Sequence, residues 1–237
     1  TQAKTLFPYT TLFRSVLQGD ELVFGFRSVV ETGPYWFTGL TSGRLQDSVK
    51  TQEMKAYISQ VRRRINDEYA ADVAHRLREL GLTAELSVNK IAGTRIADAD
   101  GLDLGDIDVL AWHPSTRTVL VVEAKDFEVA RTPAEVSNEM IKLFLGKRGR
   151  KTERSTVDKH ARRMAWISAN LSAVLTRLGA DVADGANSVI GVIVTSDPLV
   201  TPLVASSTIP VIPFVDLELD VLGLEPMPAR TSGRRRR

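Results

Sequence analysis

Residues 119–126 read Val-Leu-Val-Val-Glu-Ala-Lys-Asp, and the run Gly105-Asp106-Ile107-Asp108 stands a short way upstream. The β-branched, apolar character of 119–124 predicts a central strand buried on both faces. Successive side chains of a strand alternate, so Glu123 and Lys125 share one face. Ile107 to Trp112 reads as a second strand, and His113-Pro114-Ser115-Thr116-Arg117-Thr118 has the composition of a turn. If the hairpin closes about Ser115-Thr116, the numbers of cross-strand partners sum to 231, which sets Asp108 opposite Glu123 and Asp106 opposite Lys125. Directly opposed side chains have Cβ atoms roughly 4.5–5.5 Å apart. Two carboxylates that close repel unless a cation lies between them, and a divalent metal is the simplest such cation. A hard ion such as Mg²⁺ (or Mn²⁺) takes one or two carboxylates and keeps several waters. The alternative is a solvated strand face with an Asp106–Lys125 salt bridge. The apolar neighbours Leu120, Val121, Val122 and Ala124 argue against it, because charges in such a strand are costly.

The two runs together, Gly-Asp-Ile-Asp-Val-Leu-Ala and Val-Val-Glu-Ala-Lys-Asp, resemble the PD-(D/E)XK nuclease superfamily, and the first is similar to its nuclease-related and resolvase-like branches. The resemblance is specific over 105–126 and extends by element order over about 55–215. It implies an α/β fold, with a restriction-endonuclease-like core in which a mixed central β-sheet is flanked by helices. It also implies Mg²⁺-dependent (or Mn²⁺-dependent) hydrolysis of DNA. Asp108 matches the motif aspartate, Glu123 the acidic position and Lys125 the lysine, so these three are the candidate catalytic residues, with Asp108 and Glu123 the candidate metal ligands. Relatives often add an acid from the preceding helix. Counted from Gly81, a C-cap residue, that position is Ala70, a departure from the pattern. Glu68 and Asp72, four apart on one helix face, are the alternative ligands; solvated surface charges are the competing reading.

The remaining chain is ordinary in composition: 237 residues, 25% charged, 43% hydrophobic, no cysteine. Disulfides and thiolate metal sites are excluded. No stretch of about 18 apolar residues marks a membrane span, so the expected residence is cytoplasmic, without a membrane partner. Residues 5–15, Thr-Leu-Phe-Pro-Tyr-Thr-Thr-Leu-Phe-Arg-Ser, match a one-frame translation of a common short-read sequencing adapter. Segment 1–15 is therefore read as an assembly artefact on a metagenomic fragment, 16–50 as the tail of a truncated region, 51–225 as the nuclease-like domain and 226–237 as a disordered basic tail. Within 16–50, the apolar runs 22–26 and 35–40 are expected to be two strands, or a strand and an irregular segment. Periodicity then predicts a helix over 51–80 with Met54, Tyr57, Ile58, Val61 and Ile65 in its first half and Tyr69, Val73, Leu77 and Leu80 in its second. A strand over 82–88, a loop over 92–105, helices over 133–145 and 156–178, and strands over 188–195 and 209–214 follow, the last an edge strand because of Pro210 and Pro213.

Residues 142–163 hold nine Lys or Arg against two acids, while the whole chain carries a net charge of only +2. Neutralising phosphates is the physical use of such a concentration. Lys147, Arg148, Arg150, Lys151, Arg154, His160 and Arg163 are the candidate DNA contacts; a solubilising loop and a hydrogen-bonded structural histidine are the competing readings. Three functions remain: a DNA endonuclease, a catalytically inactive nucleic-acid-binding module that keeps the fold, and a carboxylate enzyme such as a glycosidase. The last needs its two carboxyl groups farther apart than a hairpin pair sets them. Oligomeric state is not legible.

Overall fold

The structure, a computed structural model, describes residues 15–18, 21–24, 30, 34, 37–43, 51–98, 100–127, 129–130, 132–147, 153–181 and 188–224. Residues 1–14 of the adapter-like segment, and the tail 226–237, lie outside them. The chain divides into two compact units, 1–65 and 66–237.

In the first unit, β1 (Ser15–Gln18) pairs antiparallel with β2 (Glu21–Phe24). Residues 37–41 are helical, so the second apolar run is not a strand. Thr41 and Ser42 hydroxyls bond back to carbonyls three and four residues earlier, as Ser and Thr do at a helix end. Helix α1 (Gln52–Glu79) begins in this unit and continues into the second. Of its expected first-half stripe only Ile58 and Val61 are buried; Met54 and Tyr57 are exposed.

The second unit is an α/β fold around a five-stranded mixed sheet in the order β3-β6-β7-β8-β9. Its strands are β3 (Thr83–Val88), β6 (Ile107–His113), β7 (Thr118–Lys125), β8 (Ser188–Thr195) and β9 (Val211–Pro213). The first three run as an antiparallel meander, and β8 and β9 add parallel strands beyond β7. The proline-flanked β9 is the edge, where missing N–H donors cost least. The expected loop 92–105 carries a small hairpin, β4 (Lys90–Ile91) with β5 (Thr94–Arg95), turned by Gly93 at φ +81°.

The hairpin register is the one read from the turn: Val109 faces Val122 and His113 faces Thr118, so partner numbers sum to 231. Alternation then sorts the strands between two layers. Val109, Ala111, Leu120, Val122 and Ala124 pack against Ala70, Val73, Ala74 and Leu77 of α1. Leu110, Trp112, Val119 and Val121 pack beneath α3 (Thr156–Ala169) and α4 (Leu171–Arg177), through Ile167, Val174 and Leu175. The expected helix over 156–178 breaks at Asn170 (φ −115°, ψ 26°), whose side-chain amide donates to the Trp166 carbonyl. The expected helix over 133–145 is α2 (Pro133–Met140), opened by a Thr132–Glu135 capping box, followed by a π-turn over Ile141–Leu145. A four-residue helix, α5 (Thr201–Val204), lies between β8 and β9.

Glu139 of α2 is buried, which the apolar stripe does not foretell; its Oε1 accepts from the backbone N–H and hydroxyl of Thr201, joining α2 to α5. No helix among the described residues is long and apolar enough to cross a membrane.

Candidate active site

Asp108 and Glu123 come from adjacent strands at the end of the hairpin farthest from its turn. The hairpin ladder reaches Val109–Val122, so the next step sets Asp108 against Glu123, on the face that carries Leu110 and Val121. One oxygen of Asp108, Oδ2, accepts the Ala124 N–H at 2.8 Å, which ties the carboxylate to the neighbouring strand. Lys125 Nζ lies 2.7 Å from Glu123 Oε1 and 3.7 Å from Asp108 Oδ2, and so bridges the two acids. Asp106 precedes β6 and is exposed; the Asp106–Lys125 pair is not formed, because the lysine turns to Asp108 and Glu123 instead.

The other oxygen of Glu123, Oε2, accepts from Arg163 of α3. Arg163 is itself buried and donates through Nε to the Leu104 carbonyl at 2.8 Å. Gly105 sits beside this guanidinium with φ +72°, and a Cβ there would stand 3.4 Å from Arg163 Nη2. The glycine of the Gly-Asp-Ile-Asp run thus supplies a left-handed turn that side chains disfavour, directly against the arginine. Both oxygens of Glu123 are therefore engaged by cations inside the fold.

The charges follow. Burial opposes ionisation of Asp108, the facing Glu123 adds repulsion, and the carboxyl is pushed up to about 6. Burial also works against Glu123, but Lys125 and Arg163 outweigh it and hold the group below the ordinary glutamate range. Lys125 is held above the ordinary lysine range: burial opposes its charge, and Glu123 and Asp108 overcome that. His160, one turn before Arg163, is fully buried with Nε2 3.1 Å from the Val121 carbonyl. Its burial outweighs the attraction of Glu123 and brings it down to about 4, so at neutral pH the ring is uncharged and donates its proton to that carbonyl.

A family model described as "Anti-phage protein Upx-like" matches residues 18–209. The chain belongs to this family. No curated protein and no solved structure matches it.

The matched span of the Upx-like chain reaches into both units described above and includes every strand of the central sheet except β9. Within it, the remaining predicted residues fall in different places. Glu68 and Asp72 are exposed on α1, while Ala70, where the helix acid was expected, is buried in the apolar layer with Ala124. Among the described residues no three of His, Asp and Glu gather as metal ligands, so neither Glu68 nor Asp72 joins the Asp108–Glu123 pair.

His160 and Arg163 do not present themselves to a phosphate; their polar atoms turn inward to Val121, Leu104 and Glu123. Arg154 and Arg162 meet on Asp98 Oδ2, at 2.9 and 3.3 Å. Lys147 is exposed and lies 3.8 Å from Glu153. Arg148, Arg150 and Lys151 lie outside the described residues.

Two structural roles escaped sequence reading. Arg163 as the partner of Glu123 has no local signal, being forty residues away along the chain. Gly191 of β8 is the second: a Cβ there would stand 2.1 Å from Met164 Sδ and 3.0 Å from His160 Nε2. Its bare backbone lets α3 approach the sheet closely enough for His160 and Arg163 to reach the strands. A lone glycine inside an apolar strand is the one sequence sign of such an approach.

Proposed function

We propose that this Upx-like chain is a metal-dependent deoxyribonuclease of the PD-(D/E)XK kind, acting on the DNA of phage. The observation that carries the reading is the convergence of Asp108, Glu123 and Lys125 at one end of the β6–β7 hairpin. The donor set fits a hard divalent ion. The Asp108 carboxyl is pushed up to about 6 by its burial first and the facing Glu123 second, Lys125 and Arg163 offset only part of this, and a divalent cation at the pair would favour its ionised form. Two carboxylates suffice for Mg²⁺ or Mn²⁺, whose remaining positions are filled by water. When bound, the ion would lower the pKa of a water and offset charge on the phosphoryl oxygens.

The chain's own residues supply the rest. Lys125 stays protonated at neutral pH, and its ammonium orients the attacking water or binds a phosphate oxygen beside the carboxylates. Arg163, after Lys125, helps keep Glu123 ionised against its burial and fixes its direction, and is a positioning residue. The basic residues after α2 are the means of holding the DNA backbone. Membership of an anti-phage family agrees with a phage nucleic acid as the target.

Supercoiled plasmid incubated with the protein, with and without Mg²⁺, tests the reading. The wild type is expected to nick or linearise it only with the metal. Glu123→Gln and Lys125→Met are each expected to lower the rate by about 10²-fold or more, with the circular dichroism spectrum unchanged. Wild-type rates in both variants would reject the assignment.

A second reading, an inactive nucleic-acid-binding module that keeps the fold, draws support from Ala70, an alanine in the apolar layer where relatives carry an acid. It predicts salt-sensitive DNA binding with no metal requirement and no turnover.

A further inference from the structure

A cleft of about 240 Å³ opens beside Lys125, between the end of β7, the π-turn and the start of α3. We propose that this cleft holds one nucleotide of an unpaired DNA strand, with its phosphate on Lys142 and Lys159 and its base against Phe127. The proposal rests on the nuclease reading for its substrate, and it adds a preference for single-stranded over duplex DNA.

Three observations carry it. The walls are constructed rather than incidental. The π-turn is closed by Gly146 N–H donating to the Ile141 carbonyl at 2.7 Å, and the Thr156 hydroxyl donates to the Lys142 carbonyl at 3.2 Å. Gly146 has φ +70°, and a Cβ there would stand 2.5 Å from the Glu153 carbonyl oxygen, so only glycine fits. π-helical turns are rare and are frequently found at functional sites. Here the turn brings Lys142 to the cleft.

The charge is uncompensated. Among the cations lining the cleft, Arg154 has Asp98, Lys147 has Glu153 and Lys125 has Glu123. Lys142 and Lys159 make no ion pair among the described residues. Two lysines that line one concavity with no ion pair to either among the described residues favour an anion there.

The size and lining select the ligand. Pockets for drug-sized ligands run from about 300 Å³ upward, so a cleft of about 240 Å³ is of the size for one nucleotide unit rather than a base pair. Phe127 is part-buried, with its backbone held by the Ser196 hydroxyl, and it lines the same cleft. Bases stack on such aromatic faces irrespective of sequence. Because Lys125 belongs to both the cleft and the carboxylate site, a nucleotide seated here delivers the adjoining phosphodiester to Asp108 and Glu123.

Fluorescence anisotropy of a short labelled deoxythymidine oligonucleotide, measured in EDTA so that nothing is cleaved, tests the cleft separately from catalysis. Phe127→Ala is expected to weaken binding about tenfold, and Phe127→Leu, which keeps the apolar packing, nearly as much. Lys142→Ala with Lys159→Ala is expected to reduce the slope of log affinity against log salt by about 0.7, one single-strand phosphate contact. A duplex of the same length is expected to bind more weakly and to be indifferent to Phe127→Ala. Unchanged oligonucleotide binding in all variants, or equal losses for strand and duplex, would overturn the proposal. Strand binding lost in these variants while the wild type cleaves neither plasmid nor single-stranded circular DNA would leave the cleft standing and remove the nuclease reading; cleavage with strand binding insensitive to the variants would do the reverse.

Discussion

Arg163 and Glu123, on α3 and β7, form a buried ion pair that locks a helix to the central strand through the carboxylate of the candidate site. Removing Arg163 leaves Glu123 Oε2 buried without its partner, while Lys125 still holds Oε1. Arg163→Met is therefore expected to destabilise the fold by about 3–5 kcal/mol, read as a lower urea midpoint. The double variant Arg163→Met with Glu123→Gln is expected to be more stable than Arg163→Met alone, since it removes a buried carboxylate that has lost one of its two cations. A double-mutant cycle with additive losses would show that the two groups are not coupled.

Asp108 gives the site its pH dependence. Its carboxyl titrates near 6 in the fold against 3.8 as a free side chain, so the metal-free folded state holds the proton more tightly. Stability from this group is fully present below the lower value and is lost as pH rises through the higher one. Asp108→Asn is expected to be more stable than wild type at neutral pH by roughly 1–3 kcal/mol without metal, and the gain is expected to vanish below about pH 4. Thermal unfolding across that range decides it; a variant destabilised at neutral pH would contradict the repulsion.

The same carboxyl makes metal and proton competitors. Mg²⁺ affinity by calorimetric titration is expected to fall as pH drops from about 7.5 to about 5, with protons released on binding in between. An affinity constant over that range would exclude Asp108 as a ligand.

Gly191 sets how near α3 lies to the sheet. Gly191→Ala places a methyl against Met164 and His160 and is expected to cost about 1–3 kcal/mol by overpacking. Gly191→Ala with Met164→Ala makes room for that methyl and is expected to recover part of the loss. No recovery would show that the close approach is not what Gly191 provides.

Much of this was legible in the sequence because it is local. The turn composition of 113–118 and the period of two in the flanking strands fix a register, and the register alone brings Asp108, Glu123 and Lys125 together. The long helix and the apolar strand 188–195 follow from periodicity in the same way. What was not legible depends on contacts distant in sequence. Arg163 looks like a surface cation in a basic stretch until α3 is docked, when it supports the strands from within, and His160 takes the hydrogen-bonded structural role that was one of its two readings. Arg154 and Arg162 likewise meet an aspartate more than fifty residues earlier. Glu139 has a charged residue's identity and a core residue's burial, because Thr201 satisfies one of its oxygens from the far side of β8.

Anomalous scattering from a crystal grown with Mn²⁺ tests the central claim most directly. One peak is predicted within about 2.1 Å of a carboxylate oxygen from each of Asp108 and Glu123, with the Lys125 ammonium beside it. A protein that cleaves DNA with Mn²⁺ while no peak lies between these two residues would contradict the account.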